Sequence, residues 1–124
     1  MTRYLTPEQL LQIAETLPGD PACDDLGVLN AACARVQARY QEQDVYGSPW
    51  LKAAALMQTL ALHEPLEARN DFFAWLAGEV FLSTNDIVMS YEPKEARELI
   101  LSTGRKEIGV QAVAARLRSW TVQF

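Results

Sequence analysis

Residues 51–87 read LKAAALMQTLALHEPLEARNDFFAWLAGEVFLSTNDI, two apolar segments of helical character joined by a short polar turn. Just upstream, Ser48-Pro49-Trp50 matches a helix start, because serine accepts a backbone N–H bond and proline suits the first helical turn. This third helix is predicted to end near His63, where Glu64-Pro65 interrupts the pattern. A fourth helix is predicted over residues 68–83.

The fourth helix is apolar on most sides, which is typical of a helix buried in the middle of a domain. We therefore predict that it is the central helix of the fold. Its side chains Phe72, Trp75 and Leu76 are then expected to be largely buried.

The flanking sequence supplies four more predicted helices. Thr6-Pro7 repeats the cap-then-proline signature, and Pro18-Gly19 ends the helix that follows. Residues 38–47 have no helical period and are predicted to form an exposed loop or short hairpin. The expected fold is all-α: one domain over residues 1–124, a bundle of about six helices around a central buried helix, with a flap-like loop or hairpin. The four flanking helices are predicted over about residues 7–17, 26–36, 93–101 and 111–120.

The charge and composition of the chain argue against several classes of function. The 124 residues carry a formal charge of −5, which argues against non-specific nucleic-acid binding. No apolar run has the length of a membrane span or the form of a signal peptide, so a cytoplasmic protein without membrane contact is expected. Cys33 lies in an apolar helical run and is predicted to be a buried free thiol, although a disulfide with Cys23 stays open.

Polar side chains gather at the turn between the third and fourth helices. A histidine with carboxylates, an amide and an arginine at a helix N-terminus could perform acid–base or anion chemistry. The alternative is structural, with the histidine satisfying free carbonyls at the end of its own helix. The residues concerned are His63, Glu64, Glu67, Arg69, Asn70 and Asp71.

The 38–47 segment carries a second candidate surface. Tyr40, Asp44 and Tyr46 could bind a protein partner, since aromatic side chains often dominate interface energetics. An ordinary polar loop is the alternative.

Several stretches resemble the Doc (death-on-curing) branch of the Fic/Doc family. They are the opening RYLTPEQLLQIAETL, then DLGVLNAACARVQARY, QDVYGSPWLKAAAL and the exit WLA..VFL..N, so the resemblance runs from about Arg3 to Trp120. The family motif, His-x-Phe-x-(Asp/Glu)-Gly-Asn-(Gly/Lys)-Arg, falls on the turn after His63. The resemblance implies that the histidine is a general base, that the acid holds Mg²⁺, and that the last residues cradle nucleotide phosphates.

Two alignments of this motif are possible, and His63 takes the base position in both. Without a gap, Glu67 takes the metal position, and Arg69 and Asn70 take positions that contact phosphates. With one inserted residue near Glu64, Asn70 matches the motif asparagine, Ala68 the acid, Asp71 the lysine and Phe72 the arginine. Both alignments lose the cationic end of the phosphate cradle, and the glycines of the family's flap are absent from residues 40–43.

Three functional hypotheses follow. The first is a toxin-lineage pseudoenzyme that binds a protein partner and needs no cofactor; the resemblance implies an antitoxin-like protein or translation elongation factor Tu as that partner. The second is an active transferase that uses ATP with Mg²⁺, His63 as base, Glu67 or Asp71 as metal ligand and Arg69 as anion contact. The third is an interaction module of a larger bacterial assembly.

Overall fold

Two helix starts follow the cap-then-proline pattern in the structure, a computed structural model that describes residues 1–123. Thr6 precedes α1 (Pro7–Glu15): its hydroxyl accepts the Gln9 N–H, and the Gln9 side chain accepts the Thr6 N–H. Ser48 caps α3 (Pro49–His63) by accepting the Leu51 N–H at 3.1 Å. Each cap satisfies backbone donors that the first helical turn leaves free.

The prediction of an all-α fold with six helices is confirmed. The helix predicted over about residues 93–101 continues to Gly104 as α5, where Thr103 is fully buried and its hydroxyl donates to the Leu99 carbonyl. None of the helices described within residues 1–123 is long and apolar enough to cross a membrane. The remaining elements are α2 (Leu26–Val36), β1 (Arg39–Tyr40), β2 (Gln43–Asp44), α4 (Asn70–Thr84), α5 (Pro93–Gly104) and α6 (Val110–Ser119).

The central position belongs to α3, which packs against α2, α4, α5 and α6. The prediction that α4 is the centre was wrong. Alanines let α3 take this place, because short side chains allow several helix axes to approach at once. The buried residues of α3 are Lys52, Ala53, Ala54, Ala55, Leu56, Met57, Thr59, Leu60 and Ala61.

The prediction that Phe72, Trp75 and Leu76 are largely buried was also wrong. Phe72 is 51% exposed, and the other two are half-buried. The reason is that α4 turns its opposite face to the core, where Phe73 and Phe81 are almost fully buried. An apolar pattern all round the helix does not determine which of its faces is covered.

The exposed hairpin predicted over residues 38–47 is present. Strands β1 and β2 pair antiparallel across a two-residue turn, Gln41–Glu42, whose φ angles are 51° and 66°. Lys52 of α3 anchors the hairpin: the lysine is 2% exposed, and its ammonium donates to Asp44 Oδ2 at 2.9 Å and to the Tyr46 carbonyl. The hairpin is therefore fixed at the N-terminal end of α3.

Both cysteines are free thiols, in agreement with the predicted buried free Cys33. Burial raises the pKa of the Cys33 thiol to about 11, with a smaller contribution from the negative charge of Glu8. The thiol is thus protonated at neutral pH and behaves as a small apolar side chain.

We predict that Gly78→Ala destabilises the protein although alanine is the better helix former. A β-carbon at Gly78 would lie 2.1 Å from Met57 Cε and 2.6 Å from its Cγ, where α4 crosses α3. Overpacking of this kind costs about 1–3 kcal/mol, which urea denaturation would measure. The cost should fall sharply in a Met57→Ala background, whereas Gly47→Ala, with open space around it, should be neutral. Equal effects of Gly78→Ala in both backgrounds would contradict this packing.

We also predict that the contact between Lys52 and Asp44, which anchors the hairpin, stabilises the protein less at acidic pH. The hydrogen bond from Lys52, with the positive charges of Lys52 and Arg39, holds the pKa of Asp44 below its ordinary value. A lowered pKa adds stability that is fully present above about pH 4 and is lost as pH falls through the folded-state pKa. The urea midpoint of the wild type should therefore fall more steeply below pH 4 than that of Asp44→Asn. Asp86→Asn, on an exposed carboxylate, should follow the wild type.

Candidate functional site

The candidate site begins where α3 ends. His63 is the last helical residue and its side chain is exposed. Glu64 then adopts a left-handed conformation with φ 43°, and its N–H donates to the Leu60 carbonyl at 3.2 Å. Pro65 cannot continue a helix, so the chain turns away and leaves the imidazole at an open corner of the bundle.

The turn is bound to the segment before α2. The Pro65 carbonyl accepts the N–H groups of Asp24 at 2.8 Å and Asp25 at 3.2 Å. The backbone N–H of Glu67 donates to the Ala22 carbonyl at 2.9 Å. Its carboxylate Oε1 accepts the Ala22 N–H, also at 2.9 Å. The Glu67 carboxylate, which the ungapped alignment assigns to the metal, is therefore directed at the Ala22 backbone.

Helix α4 begins immediately after a second left-handed residue, Arg69, with φ 61°. The side-chain amide of Asn70, the first helical residue, hydrogen-bonds both backbone groups of Leu66. Its Oδ1 accepts the Leu66 N–H and its Nδ2 donates to the Leu66 carbonyl, both at 2.9 Å. Asn70 thus determines the angle at which the turn enters α4.

Two charged side chains, Arg69 and Asp71, flank the first residue of α4. Arg69 is exposed, and its Nε lies 4.0 Å from the position that a β-carbon would take at Gly19, between α1 and α2. Asp71 lies in the first turn of α4, where a negative charge is favourable for the helix but unfavourable for a bound anion. Within residues 1–123, no group of three histidine, cysteine or acidic side chains is arranged to hold a metal ion.

The three hairpin residues predicted to bind a partner differ in how many contacts their side chains already make within the chain. Asp44 is paired with Lys52 and with Arg39, and the Tyr46 hydroxyl accepts from Arg35 Nε at 2.8 Å. Tyr40 is 70% exposed at the end of β1, so its ring is accessible to a partner.

One guanidinium connects the hairpin segment to the middle of α3. Besides bonding the Tyr46 hydroxyl, Arg35 donates through Nη1 to the Ala55 carbonyl and, at 3.1 Å, to Thr59 Oγ1. Thr59 and His63 are one turn apart on α3 and share its face. The hairpin and the histidine therefore lie along the same side of the central helix.

The sequence did not indicate an apolar groove between α4 and α5. It has a volume of about 360 Å³, and Phe72, Trp75, Tyr91 and Ile100 line it. The adjacent pair Phe72-Phe73 was the available signal, because neighbouring helical residues point about 100° apart and a helix with one covered face cannot bury both of two large rings equally. Only the structure shows that Phe73 is buried and Phe72 is exposed.

Hydrogen bonds fix one wall of this groove. Trp75 Nε1 donates to the Tyr91 hydroxyl at 3.1 Å, and that hydroxyl donates to the Glu79 carboxylate. Burial, followed by the bond to Glu79, raises the pKa of Tyr91, so the phenol stays protonated at neutral pH. Trp120 packs against both rings, with centroids 6.0 Å from Trp75 and 5.9 Å from Tyr91.

Comparison with known proteins gives one full-length similarity. The chain is 33% identical over 120 residues to the protein named Toxin Doc of Mycolicibacterium smegmatis, strain ATCC 700084 / mc(2)155. The match covers 94% of this chain and 92% of the relative. No family model matches the chain.

We predict that Arg69→Gly stabilises the fold, because glycine adopts a left-handed conformation without the steric cost that arginine bears. Such a cost is about 1 kcal/mol, and the urea midpoint would measure the gain. Arg69→Ala removes the same guanidinium but keeps the steric cost, so it should give no gain. Equal stabilisation by both variants would attribute the effect to the lost charge and contradict the backbone argument.

Proposed function

The chain belongs to the Doc family, and we propose that it is a pseudoenzyme of that toxin lineage, acting by binding a protein partner. The family assignment rests on the identity of 33% over 94% of the chain. The loss of transfer chemistry is the proposal, and it rests on the residues at the start of α4. A cytoplasmic location in a bacterial cell fits this proposal.

The backbone of the turn favours the alignment with one inserted residue. In that alignment Arg69 stands at the motif glycine and Asn70 at the motif asparagine. The left-handed φ of 61° at Arg69 is a conformation typical of glycine, which supports the match. Ala68 then takes the acidic position, Asp71 the lysine and Phe72 the arginine.

The observation that carries the proposal is the charge at the N-terminus of α4. Asp71 and Phe72 stand where this alignment of the motif has two cations. Two like charges about 4 Å apart repel by roughly 4 kcal/mol at an effective dielectric of 20. The helix N-terminus stabilises a bound anion by only about 1 kcal/mol. A nucleotide phosphate is therefore disfavoured at this position.

The same residues offer a magnesium ion few ligand atoms. Ala68 has no ligand atom, and the Glu67 carboxylate accepts the Ala22 N–H at 2.9 Å. A magnesium ion would need to compete with that bond and find further oxygen ligands. We therefore expect function without ATP and Mg²⁺.

Partner binding is the activity that remains in this proposal. An antitoxin-like protein is the first partner to test, because the relative is named as a Doc toxin. Elongation factor Tu is the second and rests on the family resemblance alone. On the hairpin, exposed Tyr40 is the side chain most available to either partner.

One observation favours a second candidate, an active transferase. The side chain of His63 is exposed at the open corner of the bundle, where a target hydroxyl could reach it. Arg69, whose side chain is also exposed, would be the anion contact of such an enzyme.

We predict that calorimetric titration with Mg-ATP gives no binding and that radiolabelled ATP transfers no label to elongation factor Tu. Asp71→Lys with Phe72→Arg restores both cations and should make ATP binding measurable. The exposed position of Phe72 allows the arginine without burying a charge. Asp86→Lys with Val88→Arg, an equal change of charge at exposed positions, should not bind ATP. Transfer by the wild type that His63→Ala abolishes would overturn the proposal.

A further inference from the structure

The guanidinium of Arg35 is a half-buried positive charge that no carboxylate of the described chain neutralises. Arg35 lies in the last turn of α2. Its hydrogen-bond acceptors are the Tyr46 hydroxyl, the Ala55 carbonyl and Thr59 Oγ1, and all three are neutral. None of the ion pairs found over residues 1–123 includes Arg35. Because a charge that is partly removed from water usually has a counter-charge, its isolation here points to an anionic ligand.

One nitrogen of this guanidinium is free for such a ligand. The hydrogen bonds engage Nε and Nη1 of Arg35, whereas Nη2 has no acceptor among the described residues. In that part of the chain, no buried side-chain nitrogen or oxygen lacks a hydrogen-bond partner, so the unbonded Nη2 lies at the surface. A ligand atom therefore reaches Nη2 without any movement of the helices.

The Tyr46 hydroxyl supplies a second donor beside Nη2. Its oxygen accepts from Arg35 Nε at 2.8 Å, and its own proton has no acceptor within residues 1–123. Since Nε and Nη2 share one edge of the planar guanidinium, the hydroxyl and Nη2 are neighbours. An oxyanion at this edge accepts hydrogen bonds from both groups.

The two donors are held in position before any ligand binds. Arg35 Nη1 lies 3.3 Å from the Ala55 carbonyl and 3.1 Å from Thr59 Oγ1, so α3 fixes the guanidinium. Lys52 donates to the Tyr46 carbonyl and fixes the other end of the tyrosine. A site whose groups are already ordered loses less conformational entropy on binding, which favours affinity.

The segment around this site is positively charged, although the chain as a whole is acidic. Between residues 35 and 52 three cations, Arg35, Arg39 and Lys52, stand against two carboxylates, Glu42 and Asp44, which leaves one net positive charge. Asp44 is already paired with both Arg39 and Lys52. The formal charge of the whole chain is −5, so this segment is the part of the surface near the hairpin that attracts an anion.

We propose that Arg35 and Tyr46 bind the carboxylate of an acidic side chain in a protein partner. A carboxylate carries one negative charge and matches the net charge of the segment, whereas a phosphate carries up to two and exceeds it. Exposed apolar surface for the rest of such a partner lies on the same hairpin, where Tyr40 is 70% exposed and Val45 is 50% exposed. The inference rests on the proposed function, in which the chain acts by binding a partner, and it assigns the chemistry of one contact.

The test compares two blocked tripeptides, acetyl-Ala-Glu-Ala-amide and acetyl-Ala-Gln-Ala-amide, which differ only in the carboxylate. Each is titrated into the isotope-labelled protein at constant ionic strength, and NMR follows the Nε–H resonance of Arg35. The Glu tripeptide should shift this resonance saturably, at least ten times more tightly than it shifts the resonance of Arg3, an exposed arginine far along the chain. The Gln tripeptide should give no saturable shift.

Two variants test the two donors separately. Tyr46→Phe removes the hydroxyl and keeps the guanidinium, so the Glu tripeptide should bind several-fold more weakly. Tyr4→Phe, at a tyrosine that packs on Phe81, is the matched control and should leave binding unchanged.

Arg35→Lys keeps the positive charge but lacks the planar fork, so it should abolish the saturable shift, which is read here at the Tyr46 backbone amide. Arg39→Lys, at an exposed arginine of the hairpin, should leave that shift unchanged. The urea midpoint shows whether Arg35→Lys folds, and Tyr46→Phe decides the question if it does not.

Any of four results would overturn the inference. They are equal shifts from the two tripeptides, an affinity at Arg35 no higher than at Arg3, an unchanged affinity in Tyr46→Phe, and tighter binding of inorganic phosphate than of the Glu tripeptide. A wild-type dimer that Arg35→Gln converts to monomer would also overturn it, because the carboxylate would then come from a second copy.

The titrations contain neither nucleotide nor partner protein, so their outcome is independent of the pseudoenzyme proposal. Transferase activity in the wild type would refute that proposal without changing the tripeptide result. Failure of the Glu tripeptide to bind, in a protein that transfers no label and binds an antitoxin-like protein, would refute the Arg35 site alone.

Discussion

The close packing of α4 on α3 is the constraint on which the rest of the structure depends. Gly78 brings the two helices so near that Met57 occupies the space of its missing side chain. The alanines of α3 allow α2, α5 and α6 to pack around the same axis. This contact also fixes the turn that joins α3 to α4, because both of its ends are held by helices that cannot slide. The position of His63 relative to the start of α4 is therefore a consequence of core packing.

The same contact determines the rotation of α4. The covered face of α4 holds Gly78 together with Phe73 and Phe81, and Phe72 lies on the opposite face. Within residues 1–123 no other helix covers that outer face, so Phe72 remains exposed and Leu76 half-buried. Asp71 is turned to the edge of that face by the same rotation. An apolar surface with an acidic edge thus follows from one helix contact.

Local signals in the sequence gave reliable predictions, while long-range contacts could not be predicted. The caps at Thr6 and Ser48 depend on residues within one turn, so both were found from the sequence. The exposure of Phe72 depends on which face of α4 meets α3, and an all-round apolar pattern does not specify that face. The bond from Ala22 to the Glu67 carboxylate crosses 45 residues and has no local pattern. The left-handed conformation of Arg69 is equally hidden, because arginine gives no signal for it.

Stability and phosphate binding impose opposite requirements on the first turn of α4. A carboxylate at Asp71 interacts favourably with the positive end of the helix, by roughly 0.3–1 kcal/mol, and so stabilises the fold. The same carboxylate repels an anion at that position by several times this amount. An exposed phenylalanine at Phe72 adds apolar surface where an arginine would add charge. In the proposed function, the two residues replace a surface suited to phosphate with one suited to apolar and basic side chains. Under this argument, a change of ligand from nucleotide to protein needs no change of fold.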